Sequence, residues 1–262
     1  MMNRTLGLAA LLLVLVMTLP GVRGAASMAA DRQASARGDR PDDVQAVATL
    51  IKMGLPLERD SSGHVRWIEA AKSEFNDEAM RCLPGFPKLE WLEIGGGIVT
   101  ASGIAHLQTC SALARLYLHD LHLNDDMLAV LAGLRHLEAL SLQRTGITGK
   151  ALANLRATDT LKVLNLSGDE ISDADMAQVA RFTAIEVLAL QNTKITGSGL
   201  GKLEGMTQLN VLNVSNCRIA DVDLKHLTSM PNLRIVYASG CNLSSKAIDA
   251  LKDILPMLAV FQ

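Results

Sequence analysis

A 24-residue apolar period runs through most of this chain and leaves very few folds open to it. Leu89, Leu113, Leu137, Leu161, Ile185, Leu209 and Leu233 stand 24 residues apart. Three positions on come Leu92, Leu116, Leu140, Leu164, Leu188, Leu212 and Val236, and two further on Ile94, Leu118, Leu142, Leu166, Leu190, Val214 and Ala238. The eleventh, sixteenth and nineteenth positions repeat the pattern, as in Ile195, Leu200 and Leu203, so that all 42 such positions in seven units are apolar. An eighth unit opens the series at Val65, with Ile68, Ala70, Phe75, Met80 and Leu83 in register. One such unit cannot bury its apolar face alone; stacked copies share a continuous core. The composition agrees, since 49% of the chain is hydrophobic but only 3% aromatic.

Each unit reads as strand, turn and short helix. In the LxxLxL stretch the fourth and sixth residues alternate with polar ones, which points them inward from a strand. Position twelve holds Asn76, Thr100, Asn124, Thr148, Ser172, Thr196 and Ser244, with Ala220 the exception. Such side chains cap helices, because their oxygen satisfies an orphan N–H of the first turn. Leu128, Leu131 and Leu134 then follow helical spacing. Eight parallel strands at about 4.8 Å spacing predict a sheet roughly 38 Å long.

Residues 185–208, IEVLALQNTKITGSGLGKLEGMTQ, resemble a bacterial leucine-rich repeat of the Thr-x-Ile-Thr-x-x-Gly-Leu type. They are also similar to the ribonuclease-inhibitor and cysteine-containing repeat classes. The resemblance spans about 200 of the 262 residues. It implies an α/β solenoid: a curved right-handed stack with a parallel sheet on its concave face and short helices on its convex face. It also implies protein–protein recognition and brings no catalytic motif. The ninth position, often Asn in the wider family, is here Gly97, Leu121, Thr145, Asp169, Thr193, Cys217 and Cys241, which argues against a continuous Asn ladder.

The flanks suggest an exported protein. Arg4 precedes an uncharged apolar stretch, Leu6 to Leu19, which Pro20 and Gly21 break. Residues 1–24 therefore read as a signal peptide, with a retained anchor as the alternative, and residues 25–41 as a flexible linker. Periplasm, cell surface and medium all remain open as destinations, and no later segment reads as a membrane span. Residues 42–64 read as a cap: a helix opened by Pro41 and Asp42 and closed by Gly54, buried through Val44, Val47, Leu50 and Ile51, then a hairpin over the first strand. Residues 65–262 hold the eight repeats. Pro256 ends the last helix, and Leu258, Val260 and Phe261 read as a final strand that closes the core or pairs with a second copy.

Little in the sequence points to catalysis or a cofactor. Removing residues 1–40 leaves 20 basic and 25 acidic side chains, a net charge of −5 that offers nucleic acid no footprint. Cys217 and Cys241 share a repeat position, so they read as stacked thiols, with a disulfide as the alternative. Cys82 and Cys110 lie on the convex side, and no CxxC spacing suggests zinc. His119, Asp120, His122, Asp125 and Asp126 form a metal-like cluster. However, His119 falls on the strand and His122 in the turn and they need not converge, so a solvated rim is expected and no metal. The sequons at Asn165, Asn213 and Asn242 read as accidental.

The concave face is the candidate site. Position three reads Trp67, Trp91, Arg115, Ala139, Val163, Val187, Val211 and Ile235. Position five reads Glu69, Glu93, Tyr117, Ser141, Asn165, Ala189, Asn213 and Tyr237. Both Trp and both Tyr of the chain fall at these solvent-facing positions, and such rings anchor interfaces; the alternative is that they cover one another or pack beneath the N-terminal hairpin. Trp67, Glu69, Trp91, Glu93, Arg115, Tyr117, His119, Asn165, Asn213 and Tyr237 are thus the expected contacts of a protein or peptide partner. The alternatives are a surface polysaccharide, or self-assembly of an otherwise monomeric chain through the Leu258–Phe261 edge.

Overall fold

The computed structural model describes residues 40–70 and 75–262. The expected signal peptide, and the linker up to residue 39, lie outside the described residues. One sheet carries ten strands in chain order: β1 (Leu57–Arg59), β2 (Val65–Ala70), β3 (Trp91–Gly95), β4 (Arg115–His119), β5 (Ala139–Ser141), β6 (Val163–Asn165), β7 (Val187–Ala189), β8 (Val211–Asn213), β9 (Ile235–Tyr237) and β10 (Ala259–Phe261). From β2 onward neighbours are parallel and in register at steps of one repeat, as in Leu92 against Ile68 and Leu188 against Leu164. β1 pairs antiparallel with β2. The fold is a leucine-rich-repeat solenoid. β10 adds a strand beyond the eight repeats because Met257 restarts the 24-residue count from Leu233.

Positions four and six of each of the eight repeats are buried, together with Phe75, Phe86 and Phe182. The return segments are short, and several are 3-10 rather than α-helical, including Asp126–Gly133, Gly149–Asn154 and Asp221–Ser229. A 3-10 turn rises further per residue, which suits a 24-residue unit with little chain left to climb back. The position-twelve oxygens act as the spacing implies: Asn76 accepts from Glu78 and Ala79 N–H, and Thr196 from Ser198 N–H. At Ala220, which has no side-chain oxygen, the Asp223 carboxylate accepts the Ala220 N–H instead, at 2.9 Å.

Position eight turns the chain out of each strand in the left-handed region. Gly96, Asp120, Arg144, Gly168, Asn192, Asn216 and Gly240 all have φ between +55° and +75°. Glycine, Asn and Asp tolerate that conformation best, which accounts for their recurrence there. Arg144 is the exception.

The N-terminal helix, Val44–Lys52, is capped by Asp43, whose Oδ1 accepts the Ala46 N–H at 2.9 Å. Its expected apolar stripe needs correction. Val44 is 84% exposed and Ile51 61% exposed, whereas Ala46 and Leu50 are buried. The Asp43 N–H bonds Gly85 O at 2.9 Å, and Gly85 lies so close that a Cβ there would sit 2.8 Å from the Ala46 Cβ. That close approach rotates the helix to bury residues 46 and 50, four apart on one face. Asp42, one residue earlier, instead accepts the Val65 N–H at 2.7 Å and ties the helix to β2.

Candidate partner-binding face

In-register parallel strands line up equal repeat positions about 4.8 Å apart, close enough for flat side chains to stack. Trp67 on β2 and Trp91 on β3 do so, with ring centroids 3.7 Å apart and planes 11° from parallel. Tyr117 on β4 continues the cluster at 4.7 Å and 37° from Trp91. The Arg115 guanidinium carbon lies 5.6 Å from the Trp91 ring. The Nε1 atoms of both tryptophans and the Tyr117 hydroxyl are shut off from water, with no hydrogen-bond partner among the described residues. Burial holds the Tyr117 hydroxyl well above its ordinary pKa, so it stays a neutral donor.

Charge lies along one flank of this cluster. Glu69 and Glu93 are register partners. Burial, then the neighbouring Glu93 and Glu58 carboxylates, raise the pKa of Glu69. His119 sits between two acids, with Nε2 3.4 Å from Glu93 and Nδ1 3.0 Å from Asp120. The bond to Glu93 contributes most to raising the His119 pKa. Asp120 in turn holds Arg144 through two contacts, at 2.5 and 2.7 Å, and Arg144 keeps its carboxyl low. Gly95 makes room for the imidazole, since a Cβ there would overlap the His119 ring.

The expected solvent-facing row fails within the cluster itself, where the rings cover one another and leave Trp91 and Tyr117 each 4% exposed, and the rest of the face departs from it too. Position three and five side chains from β5 to β8 do not face solvent: Val187, Ala189 and Val211 are each 1% exposed. Asn213 is fully buried, its Nδ2 donating to Gln191 Oε1 at 3.0 Å and its Oδ1 accepting the Ser215 N–H at 3.0 Å. Asn165 repeats this with Gln143 and Ser167. Both amides hold strand ends in place. Tyr237 stacks on Phe261 at 5.2 Å, five strands from Tyr117 and hence about 24 Å along the sheet. The expected site residues therefore fall into an aromatic and acidic cluster on β2–β4, two structural amides, and a separate Tyr237–Phe261 pair. Phe261 is expected only as part of the terminal edge, yet the restart at Met257 places it at position five beside Tyr237.

Cys217 and Cys241 are free thiols that donate to Leu190 O at 3.1 Å and Val214 O at 3.2 Å. Among the described residues no group of three or more His, Cys, Asp or Glu is placed to hold a metal ion. No helix among them is long and apolar enough to cross a membrane.

Stacked strands with short return segments define the class, a leucine-rich-repeat protein. Internalin C2 from Listeria monocytogenes is similar in structure, with TM-score 0.60 and 20% identity over 84% of this chain and 92% of that one. A leucine-rich-repeat protein of Leptospira interrogans aligns with TM-score 0.48 and 16% identity over 74% of this chain and 52% of that one. No model of a known protein family matches the chain, and no curated protein sequence matches it.

Proposed function

We propose that this chain is an exported, non-enzymatic scaffold that recognises a protein or peptide partner through the β2–β4 end of its concave sheet. The observation that carries the reading is the Trp67–Trp91–Tyr117 cluster, which gathers both tryptophans and one of the two tyrosines of the chain. Large rings beside charged groups are the usual anchors of a protein interface. Export rests on Arg4 and the apolar stretch Leu6–Leu19. The deciding experiment is affinity capture from the native envelope and culture medium, with the Trp67→Ala/Trp91→Ala variant as a parallel bait. A protein retained by wild type and lost by the variant supports the reading. A protein retained equally by both baits, or a glycan as the sole ligand recovered, overturns it.

A second reading has its own observation. Ile254, Met257 and Phe261 are large, apolar and exposed around β10, the outermost strand described. Such an edge can pair with that of a second copy. A monomer in sedimentation at high protein concentration would end this reading.

A further inference from the structure

Resting on that reading of the β2–β4 face, we propose that its partner inserts an arginine side chain against the outer face of Trp67, between the Glu58 and Glu69 carboxylates. The position-three row runs Arg115, Trp91, Trp67 across β4, β3 and β2. Its inner end already shows the cation–aromatic arrangement, with the Arg115 guanidinium over Trp91. At its outer end Trp67 is only half-buried, while Trp91 behind it is 4% exposed.

The next strand outward is β1, where Glu58 stands opposite Trp67. Cross-strand partners share a face, so the Glu58 side chain borders the half-buried indole. Glu69 lies two residues beyond Trp67 on the same strand and therefore on the same face. Both acids are exposed. Neither has a cationic partner among the described residues, whereas the nearby Glu90 bonds Arg66 and Glu93 meets His119. Two carboxylates without a cationic partner among the described residues thus flank a half-buried indole.

A second, independent observation also points to a ligand. Trp91 Nε1 and the Tyr117 hydroxyl are buried donors without acceptors among the described residues, on the same sheet face. Carbonyl oxygens of an extended peptide supply acceptors for both once the rings shift to admit them, since both atoms are shut off from water in the free chain. Arginine suits the outer position better than lysine because its planar guanidinium stacks on an indole while its N–H fork bonds a carboxylate.

The test uses acetylated, amidated Gly-Gly-Xaa-Gly-Gly peptides, with Xaa arginine, lysine, citrulline or glutamate. The full chain reports binding through its own fluorescence, since Trp67 and Trp91 are its two tryptophans. The arginine peptide is expected to bind saturably and to weaken with added salt. Lysine should bind at least ~10-fold more weakly, because it cannot stack and fork at once. Citrulline keeps the shape without the charge and should fail, as should glutamate. Glu58→Gln/Glu69→Gln should cut arginine-peptide affinity ~10-fold or more while the far-ultraviolet signal of the stacked indoles stays intact. Equal binding of citrulline and arginine, no arginine binding, or an unaffected Gln variant overturns the proposal. The two readings fail separately. A captured partner that depends on Trp67 and Trp91 but ignores both the Gln variant and excess arginine peptide ends the arginine assignment alone. Loss of the Trp dependence ends the concave site itself.

Discussion

The carboxylate of Asp173 closes the start of the following repeat: Oδ1 accepts the Thr196 N–H at 2.7 Å and Oδ2 accepts the Thr196 hydroxyl at 2.6 Å. Asp77 does the same for Thr100, Asp125 for Thr148, and Asp221 for Ser244. The bridge thus recurs every second repeat, which makes the convex side a 48-residue pattern. The alternate repeats carry small residues where the acids pack, and a Cβ on Gly199 would overlap Asp173 Oδ1. Asp173→Ala should therefore cost about 2 kcal/mol in urea unfolding, through two lost charge-assisted bonds. Gly199→Ala should cost a comparable amount by displacing the same carboxylate. An unchanged midpoint in both variants would show that the bridge contributes nothing.

Asp169 is a carboxylate at odds with its surroundings. Its Oδ1 accepts from Thr145 N, Gly146 N and the Thr145 hydroxyl, while Oδ2 is buried with no partner among the described residues. Burial dominates and raises its pKa to about 6, against 3.8 for an ordinary Asp. A raised carboxyl favours the folded state most below the unfolded pKa and loses that contribution as pH climbs through the folded value. Stability should hence rise on acidification from about pH 6 to 4, by as much as ~3 kcal/mol if this group acted alone. Asp169→Asn keeps the acceptor and removes the charge. It should stabilise the protein at pH 7.5 and flatten that rise, as measured by urea unfolding across pH.

The fold was legible because burial repeats with the chain. Leu92, Leu116 and Leu140 carry the strand core, and Asn76 or Thr196 the caps, in residue types that nothing else explains. The 48-residue alternation is written in the same residues, yet it governs hydrogen bonds rather than burial, and an apolar count passes over it. Of the site, the stacking of Trp67 on Trp91 follows from equal repeat positions. The fates of Asn165 and Asn213 do not, because whether an amide faces a partner or its own strand end depends on Gln143, Gln191 and the following turn. Val44 and Ile51 misled for a related reason: helical spacing permits two stripes, and contact with Gly85 chooses between them.

Arg144 occupies the left-handed turn position that Gly, Asp or Asn fills in the other six repeats from β3 onward, with φ at +55°. That conformation costs a side chain such as Arg about 1–2 kcal/mol. Its ion pair with Asp120 is half-exposed and returns less, about 0–1 kcal/mol. Arg144→Gly should accordingly raise the thermal midpoint or leave it unchanged. A clear loss of stability would mean that the Asp120 pair outweighs the backbone strain.

His119 supplies a second pH window, distinct from that of Asp169. Its pKa is raised chiefly by Glu93, so the folded state holds the proton more tightly than the unfolded chain, whose imidazole titrates near 6.5. The stabilisation is fully present below 6.5 and disappears as pH rises through the higher folded value. His119→Gln should remove that slope near and above neutrality while leaving the acidic window of Asp169 in place. Gly95→Ala tests the geometry without touching a charge, because the new Cβ must push the ring off Glu93. In this variant the His119 pKa, followed by nuclear magnetic resonance, should fall back toward 6.5. If it stayed high, Asp120, 3.0 Å from the other ring nitrogen, would be the group that holds the proton.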